Sequence, residues 1–215
     1  MTLTICLAVA AAGASAAPKK KKKGGPPAGQ FSYYVLSLSW APDFCAQPNV
    51  PKDPAECGAG KQVGFVVHGL WPQGNSGRGP ENCGPASPVA QDIVNATLSY
   101  IPTAALIQHE WKAHGTCSGL SAADYFAALR KARDSVTIPP DLKALDHQQK
   151  LSPAAIESDF ASANPAFAKT AFRTSCTAGR LQEVRICLGK DLAPRACTAS
   201  AGECSAKSVT VLPLR

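Results

Sequence analysis

A chain of 215 residues is long enough to bury one sizeable core and short for two domains. Apolar residues make up 45% and charged residues 17%, a balance that excludes an intrinsically disordered polymer. The net charge of +7 falls to +2 once the five lysines at 19–23 are set aside, so charge alone assigns no nucleic-acid partner to the body of the chain.

Residues 1–17 read as a secretory signal peptide. A short apolar run over 3–12 leads to Ala14, Ser15 and Ala16, a small-residue cleavage site, although no Lys or Arg precedes the run. The run is shorter than the roughly 20 residues a spanning helix needs, and no later stretch supplies one. The expectation is a soluble exported protein, periplasmic or extracellular. Residues 18–29 are rich in Lys, Gly and Pro and read as a flexible linker, either a solvated tail or a tether to an anionic surface. The folded domain is expected over 30–215.

Of the nine cysteines, Cys6 lies in the leader. The remaining eight are Cys45, Cys57, Cys83, Cys117, Cys176, Cys187, Cys197 and Cys204. An even set in an exported chain points to disulfides, and no C-x-x-C pair suggests a zinc cluster.

In chain order, residues 31–40 alternate apolar and Ser in their second half, as a half-buried strand does. Residues 63–70 form a second strand candidate, with His68 at its end. Residues 88–100 carry Val89, Ile93, Val94 and Leu98 at helical spacing. Residues 104–114 read as a helix broken at Gly115, and 122–133 as a helix capped by Ser121. Ser152 and Pro153 open another. Residues 169–177, 181–188 and 208–212 read as strands. Helices and strands without βαβ alternation predict an α+β fold.

Two segments carry chemistry. The first is F-V-V-H-G-L-W-P, from Phe65 to Pro72. A strand holds a titratable imidazole rigidly, as acid–base catalysis requires, and Trp71 offers a face for a nucleobase. A core histidine beside a core tryptophan fits the same residues. The second is H-E-W-K-A-H-G-T-C, from His109 to Cys117. On an α-helix, at about 100° per residue, His109, Glu110, Ala113 and His114 share one arc, and Lys112 points away. Glu110 and His114 are i, i+4 neighbours. Zinc hydrolases use H-E-x-x-H; here the spacing is H-E-x-x-x-H, which turns the second His about 100° off the shared axis. His147 matches no motif and reads as a surface residue.

Together, F-x-x-H-G-L-W-P and H-E-W-x-K-H-G-T-C, in that order, resemble the two active-site segments of the ribonuclease T2 family. The match is complete in the first segment and lacks one residue in the second, where Ala113 replaces the family's Lys. The cysteines fall in the family's arrangement as well. The resemblance implies a single α+β domain, with a central antiparallel sheet packed by several helices. It also implies four disulfides: Cys45–Cys57, Cys83–Cys117, Cys176–Cys204 and Cys187–Cys197.

It further implies a monomeric endoribonuclease for single-stranded RNA, with no cofactor and no metal. In that chemistry the ribose 2′-OH attacks phosphorus, leaving a 2′,3′-cyclic phosphate that is then hydrolysed to a 3′-phosphate. By resemblance His114 is the base and His68 the acid. His109 binds phosphate and Glu110 stabilises the pentacoordinate state. The competing reading is an RNA-binding or host-interaction protein on the same fold, weakened in catalysis by Ala113.

Overall fold

The sheet grows outward from its first strand. β1 (Tyr33–Trp40) lies between β2 (Phe65–Gln73) and β5 (Arg180–Leu188), antiparallel to both, in a computed structural model that describes residues 27–50, 53–58, 60–76 and 79–214. The signal-peptide reading and the lysine run lie outside the described residues. Of the linker reading, residues 27–29 fall within them. They form a turn whose Gly29 N–H donates to the Cys117 carbonyl at 2.9 Å, while the Gly29 carbonyl accepts from Lys190 at 3.1 Å.

β5 also pairs with β4 (Phe172–Thr177) through a two-residue turn at Ala178 and Gly179, both at positive φ, the geometry that matches strand twist. Two short strands complete the sheet: β3 (Gln149–Leu151) pairs antiparallel with β6 (Val209–Val211), and β6 meets β5 in parallel at Thr210 and Arg180. The sheet is antiparallel apart from that contact. The fold is α+β as expected.

β1 is not half-buried. Seven of its eight residues are buried, and Ser37 is fully enclosed. The reason is its central place: one face packs on the main core of Leu36, Leu38, Trp40 and Phe160, and the other carries a smaller cluster around Tyr33, Val35 and Cys187. Alternation of apolar and Ser marks two different buried environments here, not core and solvent.

The helices follow their local signals. α1 (Ala41–Ala46) carries Pro42 in its first turn, α2 (Pro54–Cys57) starts at a proline, and the Asp53 side chain caps α2. Sequence periodicity did not reveal either. α3 (Gln91–Thr97) is shorter than the predicted 88–100, because the Gln108 side chain bonds the Val89 N–H at 2.9 Å and its carbonyl at 3.3 Å, holding that residue outside the helix. Thr103 caps α4 (Ala104–Glu110) by accepting from the Leu106 N–H. α4 does not break at Gly115. It passes into a π-helical turn (Trp111–Gly115) and then α5 (Thr116–Ser118). α6 (Ala122–Asp134) carries the predicted Ser121 cap, α7 (Pro140–Lys143) is a single turn, and α8 (Pro153–Ala163) opens at Ser152 and Pro153 as predicted, with the Ser152 side chain accepting from the Ala155 N–H. Among the described residues, no helix is long and apolar enough to cross a membrane.

The disulfides are Cys45–Cys57, Cys83–Cys117, Cys176–Cys204 and Cys187–Cys197. The first ties α2 to α1, and the second ties the loop at 81–83 to α5. The last two bind the segment 197–204 to β5 and β4.

Candidate active site

His68 sits in the middle of β2, not at its end. Ser37 of β1 pairs with Gly69 and Leu38 with Val67, so His68 has no partner in the register and is the extra residue of a β-bulge. A bulge bends its strand and re-aims the side chain it carries. The imidazole emerges on the face opposite the main core, with 36% of its side chain exposed. Beside it β1 presents Ser37 and Ser39. Their small side chains leave room for His68 of β2 to reach across to β5, roughly 9–10 Å away at twice the interstrand spacing. Its Nδ1 donates to Glu183 Oε1 at 2.7 Å.

The second motif arrives from α4. Glu110 is fully buried; its Oε2 accepts from the Trp71 indole N–H at 2.8 Å, and its Oε1 lies 3.8 Å from His68 Nε2. Gly69 makes this possible, since a Cβ there would collide with the Glu110 carboxylate and the indole nitrogen. The Trp71 ring contacts both imidazoles, 5.1 Å from His68 and 5.4 Å from His114 between ring centroids. Two histidines far apart in sequence thus meet on one indole.

The π-turn corrects the α-helical projection. Its i→i+5 winding resets every angle beyond Glu110. His109, Ala113 and His114 do line one cleft, of about 240 Å³, but so does Lys112, which the projection turned away. The Cys83–Cys117 bridge and the Asn82 N–H to Ala113 carbonyl bond of 2.8 Å hold the opposite wall, Glu81 and Asn82, over that turn. His109 also lines a larger cavity of about 630 Å³ beside His68, walled by Phe44, Val66 and Leu106 and edged by Asp53 and Glu56 of α2. His147 is exposed and bonds only to near neighbours, Asp146 at 2.6 Å and Gln149 at 3.4 Å. Among the described residues, no group of three or more His, Cys, Asp or Glu is arranged to hold a metal ion.

Environment separates the titrations. Burial, the largest effect on His114, lowers its pKa to about 4, and the neighbouring His109 and His68 add to the drop. Burial also opposes charge on His68, but the hydrogen bond and charge of Glu183, with Glu110 behind it, more than offset this and leave its pKa raised. Burial lifts Glu110 to about 7, against the pull of His68 and Trp71. Glu183 resists its own burial because His68 and Arg185 both stabilise its charge, and it falls to about 2.

Glu183 and Arg185 are site residues that the motifs do not contain. They lie 115 and 117 positions from His68 in sequence, in a strand whose pattern reads only as buried β. Two charged residues two apart in a largely apolar stretch, L-Q-E-V-R-I-C-L, are the one signal that points to them: they share a face, and a buried charge needs a partner.

Comparison places this arrangement. A protein named "Ribonuclease" from Aeromonas hydrophila is 42% identical over 110 residues, 50% of this chain and 48% of its own length. A "Probable ribonuclease" from Haemophilus influenzae is 34% identical over 119 residues, 50% of this chain and 44% of its own. The chain spans about half the length of the curated relatives it matches. The solved structure of an RNase-related protein from Calystegia sepium superposes with a TM-score of 0.68 at 22% identity, over 86% of this chain and 98% of that one, and so shares its fold. The family model described as the ribonuclease T2 family matches residues 31–197, a span that holds both histidine segments, Glu183 and Arg185; the chain belongs to the ribonuclease T2 family.

Proposed function

We propose that the chain is an exported endoribonuclease that cleaves single-stranded RNA by metal-independent transesterification, using His114 as base and His68 as acid. The carrying observation is the pair of imidazoles on one indole with their protonation pushed in opposite directions: His114 lowered to about 4 and His68 raised. Two like groups driven apart by their surroundings divide acid and base work between them.

In the first step, neutral His114 takes the 2′-OH proton and the freed oxygen attacks phosphorus. The bond to the 5′-oxygen breaks, and His68 supplies the proton to that leaving oxygen. In the second step water replaces the leaving group, the roles reverse, and the cyclic ester opens to a 3′-phosphate. Glu110, at about 7, is a neutral acid in mildly acidic solution and donates to a phosphate oxygen instead of repelling it. Its Oε1 is buried and has no hydrogen-bond partner among the described residues, in keeping with a role toward substrate. His109, exposed at the junction of the two cavities, is placed to contact phosphate, and the apolar cavity beside it suits a nucleobase. Trp71, partly buried, holds Glu110 and contacts both imidazoles, and its remaining exposed surface is available to substrate. The four disulfides support export to an oxidising compartment.

Total RNA incubated with the protein in EDTA should yield fragments with 2′,3′-cyclic phosphate ends, later 3′-phosphates, while DNA, which lacks the 2′-OH, stays intact. Intact RNA, or inhibition by EDTA, defeats the reading.

Ala113 in the family's Lys position favours the second reading, a binding protein with weakened catalysis. Lys112 bears on this, since it lines the cleft beside His109 and His114. Removing one preorganised donor costs on the order of 10²-fold in rate. Lys112→Ala is therefore expected to lower kcat by roughly 10- to 10²-fold. Ala113→Lys is expected to raise kcat little in the parent and several-fold in the Lys112→Ala background. Steady-state kinetics on a dinucleotide substrate checks both. A parent with no turnover, rescued only by Ala113→Lys, supports the binding protein.

A further inference from the structure

Glu183 is 4% exposed and uses both carboxylate oxygens. Oε1 accepts from His68 Nδ1 at 2.7 Å, and Oε2 accepts from Arg185 Nε at 2.9 Å and Nη2 at 2.7 Å. Arg185 is itself anchored, its Nη1 donating to the Ala201 carbonyl at 2.8 Å. That acceptor lies in the segment stapled to the sheet by Cys187–Cys197 and Cys176–Cys204. Next to it, Gly202 has no Cβ, and one would collide with Arg185 Nη1. The guanidinium also lies 5.4 Å from the Trp71 ring centroid.

We propose that Glu183, clamped by Arg185, is a positioning residue of the reaction: it fixes the His68 ring with Nδ1 as donor, so that Nε2 faces the site and delivers the proton to the leaving oxygen. This rests on the reaction proposed above. An ionised carboxylate only accepts, so Nδ1 must carry hydrogen. Nε2 then points toward Glu110, the side on which substrate would lie. A carboxylate alone would also hold His68 protonated too firmly for an acid that must release its proton. Arg185 tempers this, because its charge opposes that of the imidazolium.

The charged and titratable groups facing His68 are Glu183 and Arg185 from β5, Glu110 from α4, Glu56 from α2 and His114 from the π-turn, and Asp53 and His109 line the cavity beside it. Of these, only Glu183 is hydrogen-bonded to the ring among the described residues. Three separate features serve that one bond: the bulge at His68, the two serines beneath it and the clamp behind it.

The geometry demands opposite responses from two variants of the full chain. Glu183→Gln removes the negative partner, so His68 should titrate at lower pH and the alkaline limb of the kcat profile should move down with it. Arg185→Gln removes the opposing cation, so both should move up. Loss of an outer partner of this kind typically costs 10- to 100-fold, and a fall of about that size in kcat, with KM changed less than about threefold, is expected for Glu183→Gln. The His68 titration is read by NMR without RNA, alongside thermal melting, so a loss of stability is told apart from a shifted proton. Shifts of the same sign in both variants, or none, overturn the proposal. Should Glu183→Gln not fold, Arg185→Gln decides alone by the sign of its shift. If the parent leaves RNA intact, the reaction itself falls. That failure is distinguishable, because the RNA-free titration still reports whether Glu183 sets the ring.

Discussion

His114→Ala is expected to lower kcat by roughly 10²- to 10⁴-fold, the range a positioned general base contributes, and His68→Ala by a similar factor. His114→Ala should melt near the parent temperature, whereas His68→Ala leaves the buried Glu183 carboxylate short of a partner and should melt somewhat lower. The pH profile carries the finer test. As a base His114 must be neutral, so activity should fall as pH drops through about 4. As an acid His68 must be charged, so activity should fall as pH rises through its raised value, above that of a free imidazole, and the ionisation of Glu110 near 7 adds to the same limb. The result is a broad bell, wider than two unperturbed histidines would give. His114→Ala should lose the acid limb, and His68→Ala should keep on the alkaline side only the part that belongs to Glu110. Full activity in either, measured by cyclic phosphate release, ends the assignment of roles.

The second large effect comes from a residue with no side chain. Gly69→Ala puts a methyl group where the Glu110 carboxylate and the Trp71 indole nitrogen now meet. One of them must leave, and with it goes the hydrogen bond that holds Glu110 under His68. Overpacking of this kind costs about 1–3 kcal/mol in stability. The loss of activity should be larger in proportion: about 10²-fold in kcat, because the carboxyl group and the indole that carries both imidazoles shift together. Kinetics and thermal unfolding of the same preparation check it. A variant with parental kcat would mean that the Trp71–Glu110 bond is incidental to the reaction.

Much of this was legible in the residues. The order of the two histidine segments, the even set of cysteines and their pairing by resemblance, the Ser121 cap, the helix start at Ser152 and Pro153, and the β4–β5 region all read correctly, because each depends on neighbours in sequence or on a motif as a whole. The errors have a common cause. The Pro88–Val89 start of α3 lost to side-chain bonds from Gln108, 19 residues away. Lys112 was turned away because the projection assumed 3.6 residues per turn where the chain adopts a π-turn. β1 looked half-buried because the pattern of Ser and apolar residues does not say what covers the second face of a central strand.

The sequence by itself determined the chemical inventory: two imidazoles, a carboxyl group and an indole in two motifs that resemble those of the ribonuclease T2 family, in a chain with an even set of cysteines after the leader. Tertiary structure alone decided how those groups are aimed. The bulge that turns His68 out of register, the serines that leave space beside it and the Glu183–Arg185 clamp that meets it from another strand depend on which strands pair and in what register. Register is set by packing across the sheet, and a contact between residues 115 positions apart leaves in the sequence only two charges on one strand face, with nothing to name their partner.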